Sequence, residues 1–169
     1  MTMTRRGVLL AAAALMVTGC GFHLRGAIQW PKEYQNVYMV GYNPDDRQTF
    51  YSAVVKFFPS GVKIVTDEAQ ADLIIQVLSE QQTSRAVSGL AVDRATEEVV
   101  TLTMVVQAKD RDGQEILPPT TLMRERDFSY QEAALLSKST DSQRVSYALR
   151  QELAGMFMRR LEAALRVQP

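Results

Sequence analysis

From Val99 to Lys109 apolar and polar side chains alternate, with Val100, Leu102, Met104, Val106 and Ala108 on one side and Thr101, Thr103 and Gln107 on the other. A period of two is a strand signal, and one apolar side means one face of a sheet packs while the other meets solvent or a partner. A layer of helix must then cover the apolar face. The stretch Ser137 to Val167 can supply it. There Val145, Ala148, Leu149, Leu153, Met156, Phe157, Leu161, Ala164 and Leu165 recur at helical spacing, with Arg150, Gln151, Arg159, Glu162 and Arg166 mostly off that stripe. This closing helix either covers the core of a sheet or lies on a membrane, and the first reading fits a chain with one core.

The remaining elements follow from local signals. Asn36 to Tyr42 is rich in β-branched and aromatic residues and reads as a strand. Asn43-Pro44-Asp45-Asp46 then has cap, first-turn proline and acids for a helix from about Pro44 to Phe57, with Phe50, Val54, Phe57 and Phe58 on one face. Pro59-Ser60-Gly61 stops it and Val62 to Val65 is a short strand, so a right-handed crossover joins two neighbouring parallel strands. Asp72 to Arg85 reads as a long strand with a polar far half, 86–98 as a loop, and Asp110-Arg111-Asp112-Gly113 as a hairpin turn. Gln114 to Tyr130 is a further strand, where Pro118-Pro119 implies a bulge or an edge position. Its charged run Leu122 to Phe128 is either solvated rim or a polar contact surface. The expected fold class is α+β, a single domain. Its mixed β-sheet, strand-helix-strand and then an antiparallel meander, is packed by two helices, the long one C-terminal.

The amino-terminal end sets the compartment. Arg5 and Arg6 precede an apolar run from Val8 to Val17, the build of a secretory signal. The run is about half the roughly 20 residues of a membrane span. Val17-Thr18-Gly19-Cys20 resembles a bacterial lipobox, in which the cysteine thiol receives diacylglycerol and the chain is cut before it. The lipoprotein class implies a third chain on the new amino group, giving N-acyl and S-diacylglycerol groups on Cys20. Two or three acyl chains hold a protein on a membrane durably. By the sorting rules of that class, Gly21 rather than aspartate after the cysteine directs the protein to the outer membrane. The boundaries are then residues 1–19 as signal peptide, 20–35 as lipidated leader and 36–169 as the folded domain.

These features limit the chemistry. Cys20 is the only cysteine, so no internal disulfide is available and packing alone must stabilise the fold. The chain carries 19 basic and 19 acidic residues, two of the basic ones in the signal, so nothing suggests nucleic acid. His23 is the only histidine and lies three residues from the anchor, a poor place for a triad or a metal ligand. No phosphate-binding glycine loop occurs. The expectation is a protein without catalytic residues, metal or cofactor beyond the covalent lipid.

Cys20-Gly21-Phe22-His23-Leu24-Arg25-Gly26 closely resembles the start of the mature chains of LptE, the LPS-assembly lipoproteins, and the order of elements is similar across the mature region. The resemblance implies an outer-membrane lipoprotein in a one-to-one complex with the large β-barrel LptD. It would act there as plug and assembly partner, helping to deliver lipopolysaccharide to the outer leaflet. Direct binding of lipopolysaccharide is implied as well.

The meander places the 86–98 loop at the same end as Tyr130 and the start of the closing helix. Arg85, Arg94 and Lys138 gather there with Val87, Leu90, Ala91 and Val92. Lipopolysaccharide offers phosphates and sugars beside acyl chains, so Arg94 and Lys138, with Arg85, are candidate ligand contacts. Asp93, Glu97 and Glu98 crowd the same loop, and ordinary loop charges are the other reading. Trp30 packs on either a barrel wall or the domain, and His23 is a polar contact in the leader. A free-standing lipid-binding lipoprotein is the alternative function and requires an apolar pocket of several hundred Å³. An envelope hydrolase would require a nucleophile beside a base.

Overall fold

The computed structural model describes residues 30–87, 95–131 and 135–167. Five strands and two α-helices follow in the order β1 (Asn36–Met39), α1 (Phe50–Val55), β2 (Lys63–Val65), β3 (Leu73–Val87), β4 (Ala95–Asp110), β5 (Glu115–Gln131) and α2 (Leu135–Val167). The sheet order is β2-β1-β3-β4-β5. β1 is parallel to both β2 and β3, and β3, β4 and β5 form an antiparallel meander. This is the α+β architecture that the alternation and the helical stripe imply.

The core lies between one sheet face and the two helices. Val100, Leu102, Met104, Val106 and Ala108 are at most 2% exposed, as the alternation requires. They meet Val37 and Met39 of β1, Leu73 and Ile75 of β3 and Leu122 of β5 in the same cluster. From α2, Leu149, Leu153, Phe157, Leu161 and Leu165 bury against them. Phe50 of α1 meets Phe157 edge-on at 5.7 Å. A fully buried side chain of this size contributes about 1.5–3 kcal/mol by leaving water. The core-covering role of the closing helix is thereby settled.

Three local expectations change. The first strand ends at Met39, not Tyr42, because Gly41 takes φ +78° and the Tyr42 N–H donates to the Met39 carbonyl in a turn. The helix begins at Phe50 rather than Pro44. Asn43 Oδ1 accepts from the Asp45 N–H and Asp46 Oδ1 from the Gln48 N–H, so short polar side chains hold the backbone in successive turns instead of a helix. Thr49 is the working cap, its Oγ1 accepting from the Ser52 N–H at 3.2 Å. Phe57 consequently lies beyond the helix and is 38% exposed. Third, the segment read as a loop at 86–98 is strand at its two described ends, Ala86–Val87 and Ala95–Glu98. Ala86 pairs with Glu98 and Val87 with Glu97, and Ser84 Oγ donates to Glu98 Oε2 at 2.7 Å across the ladder. Cross-strand pairing overrides the polar, turn-like composition there.

The two prolines produce both expected consequences. β5 pairs only with β4, at the sheet margin. The register slips between the pairs Val106↔Thr120 and Ala108↔Leu117, which places one extra residue at Pro118-Pro119. β3 has its own bulge between Val77 and Ser79, leaving Leu78 44% exposed.

Candidate functional site

The meander brings the expected end together along the backbone. Val87 pairs with Glu97, Ala95 with Gln131, and α2 starts at Leu135 just beyond β5. Arg85 stands opposite Val99, and Val99 opposite Asp127, so this cation and carboxylate share one row of the sheet. Arg85 is exposed. Lys138 falls in the opening turns of α2, and its side chain lies outside the described residues. Arg94 lies outside them too, with Leu90, Ala91, Val92 and Asp93, as do Cys20 and His23. The structure thus joins Arg85 and the Lys138 backbone at one end of the sheet.

The sheet face turned away from the helices carries Thr101, Thr103 and Val105 on β4, all half-buried, and exposed Met123 and Glu125 on β5. Gln107 lies on this same face, opposite Gln76 of β3, but is buried rather than exposed. It is 8% exposed, and its Nε2 donates to Gln76 Oε1 at 2.7 Å. On the helix side, the charged run of β5 is partly clasp. Arg126 pairs closely with Glu152 of α2, and Arg124 approaches the same carboxylate at 3.7 Å. Across the sheet, Arg150 of α2 meets Glu80 of β3 at 2.6 Å. Exposed pairs like these contribute about 0–1 kcal/mol each, so they orient α2 more than they stabilise it.

At the other end of the sheet Trp30 packs on the domain. Its ring meets Phe58 edge-on at 5.2 Å, and its Nε1 donates to the Tyr34 carbonyl at 2.6 Å. Burial raises the Tyr34 hydroxyl pKa, with Asp110 and Glu33 adding to it. On the helix side, the Lys56 ammonium donates to the Tyr147 hydroxyl at 2.7 Å and holds that phenol below its ordinary range.

Sequence reasoning missed one cleft. Tyr38, Met39, Gly41, Tyr42, Pro44, Ile64, Val65 and Thr66 line a space of about 390 Å³ at the carboxyl ends of β1 and β2. None of these side chains is charged. Its signal was the early end of β1, which Gly41 could have disclosed. Among the described residues no cluster of three or more His, Cys, Asp or Glu could hold a metal, and no helix is long and apolar enough to cross a membrane.

Comparison with known proteins agrees with the fold and goes further. Solved structures of similar shape include a lipoprotein B from Nitrosomonas europaea (TM-score 0.64, 19% identity, covering 87% of this chain and 94% of that one). A minor lipoprotein from Acinetobacter baumannii is also similar (TM-score 0.56, 22% identity, covering 77% of this chain and 94% of that one). By sequence, the chain is 30% identical over 155 residues to the LPS-assembly lipoprotein LptE of Pectobacterium atrosepticum, covering 91% of this chain and 83% of that protein. It is 23% identical over 159 residues to the protein of that name in Photorhabdus laumondii, with the same shares covered. The lipopolysaccharide-assembly family model LptE matches residues 34–161, all five strands and most of α2, and the chain belongs to that family.

Proposed function

We propose that this protein is an outer-membrane lipoprotein that complexes one-to-one with the LptD β-barrel. It acts there as plug and assembly partner and helps deliver lipopolysaccharide to the outer leaflet. Family membership supports the lipopolysaccharide-assembly role. The observation that carries the plug reading is the two-sided sheet. One face is sealed by helices, and the other presents half-buried threonines and Val105 with no helix over it among the described residues. A body inside a polar lumen needs such a dry core and such a polar skin, and a permanent interface of this kind buries more than roughly 2,000 Å². Arg85, Arg94 and Lys138 are the proposed lipopolysaccharide contacts at the meander end, and acyl groups on Cys20 are the proposed anchor.

Affinity purification from gently solubilised outer membranes tests the reading. One large β-barrel in equimolar amount is the expected companion, and recovery of free monomer alone would overturn it. Cys20→Ala should release the folded domain from the membrane. Reversing Arg94 and Lys138 to Glu should weaken lipopolysaccharide binding without lowering the melting temperature. The uncharged cleft of Tyr38, Tyr42 and Ile64 favours a second reading, a free-standing lipid-binding lipoprotein. A protein that binds lipopolysaccharide normally and never recovers a barrel would establish it.

A further inference from the structure

The outer surface of α2 carries a second cleft, away from the meander end. Phe57, Arg124, Gln151, Glu152, Gly155 and Arg159 line about 270 Å³ there. Gly155 is its floor. Glycine is the poorest helix former after proline, yet it stands in the middle of a 33-residue helix. A β-carbon at that position would lie 3.3 Å from Phe57 Cζ and 3.5 Å from Arg159 Nη1. The missing side chain therefore lets an exposed aromatic ring and a guanidinium lie side by side over the helix backbone.

The charge is unbalanced. Arg124, Arg126 and Arg159 surround a single carboxylate, Glu152, which Arg126 engages closely and Arg124 only at 3.7 Å. Arg159 is exposed and has no hydrogen-bond or ion-pair partner among the described residues. A concave site with surplus guanidinium next to an exposed phenyl ring complements a compact anion carried on an apolar body. Guanidinium forks match phosphate oxygens in geometry as well as charge.

We propose that this cleft is a phosphate subsite for lipopolysaccharide, distinct from the meander end. Arg124 and Arg159 take the phosphate oxygens, and the Phe57 ring takes the adjoining apolar portion. The assignment rests on the lipopolysaccharide-handling reading above. A short concave floor suits a tetrahedral anion better than an extended acidic peptide.

The test titrates the detergent-solubilised mature lipoprotein with lipopolysaccharide, with the same material after enzymatic removal of its phosphates, and with inorganic phosphate alone. Arg159→Glu should weaken binding of the phosphorylated form about tenfold and leave the dephosphorylated form unchanged. Arg124→Glu should act in the same direction. Arg47→Glu, the same charge change at an exposed loop position, should alter neither. Arg159→Gln, with a melting temperature equal to wild type, separates lost contact from misfolding. Wild-type affinity for phosphorylated lipopolysaccharide in both cleft variants would overturn the proposal. So would inorganic phosphate binding as tightly as the lipid, or loss of barrel recovery at unchanged lipid affinity, which would assign the arginines to a protein carboxylate. Barrel recovery is read separately: its failure in the wild type removes the plug reading and leaves a phosphate-dependent titration standing.

Discussion

Tyr51→Phe removes one oxygen from a place where the sheet depends on it. The Val77 N–H donates to Tyr51 Oη at 2.9 Å, beside the bulge where the β3–β4 register slips between Val77 and Ser79. Tyr51 is 9% exposed and sits in α1, so this bond ties the helix layer to the irregular point of β3. Without the hydroxyl, the amide loses its acceptor. An unsatisfied buried donor costs about 1–3 kcal/mol, and Val77 is only half-buried, so about 1–2 kcal/mol is expected. For a domain of this size that is a fall of roughly 3–6 °C in melting temperature. Urea unfolding should show a lower midpoint with an unchanged slope, and the Val77 amide should exchange faster. The pH dependence gives a second check. Burial raises the Tyr51 pKa above the ordinary tyrosine value, although the Val77 bond opposes this. In the interval above that ordinary value the unfolded chain loses a proton that the folded chain keeps, so wild-type stability falls as pH rises. Below it the contribution is complete. The stability gap between wild type and Tyr51→Phe should therefore be constant from neutral pH to about pH 10 and narrow above it. A change below about 0.5 kcal/mol, with Val77 exchange unaltered, would refute the reasoning.

Phe157→Ala empties the centre of the core, where the ring is 0% exposed and meets Phe50. The expected loss is about 3–5 kcal/mol by chemical denaturation. Gly113→Ala forces a side chain into φ +80° at the β4–β5 turn, where no neighbour obstructs it. Backbone strain alone should lower stability by about 1–2 kcal/mol, without any change in core packing visible by near-ultraviolet circular dichroism.

The parts of the fold that a single side chain's period could announce were readable in advance. The alternation from Val100 to Ala108 and the stripe from Leu149 to Leu165 bury as spaced, because period and burial are the same fact seen twice. What the sequence hid were competitions between partners. Asn43, Asp46 and Thr49 each offer a cap, and only the structure shows that Thr49 wins. The 86–98 segment contains Gly89 and several charges that read as a loop, while pairing carries strand through Val87 and from Ala95. The proposed tether at Cys20 and the proposed meander-end cations are read from residue types alone. The Arg124–Arg159 cleft is not, since 35 positions of sequence separate its two cations and only the packing of α2 beside β5 unites them.

The far half of β3 gives the strongest physical hint of a partner. Up to Ile75 the strand alternates buried and half-buried residues, but from Leu78 to Val87 every residue is exposed. At about 3.3 Å per residue this arm runs roughly 30 Å beyond the bulge. Leu78 is 44% exposed and Val87 40%. A ladder wetted on both faces opens locally at little cost. Hydrogen exchange in the free protein should show Gln82 to Val87 exchanging far faster than Leu73 to Val77, which core side chains hold down. In the proposed complex with the barrel, the arm amides should slow by at least about tenfold, because docking removes water from one face. Equal protection of both halves in the free protein would mean that the arm supports itself. Unchanged arm exchange on formation of that proposed complex would mean that the arm is not part of the contact.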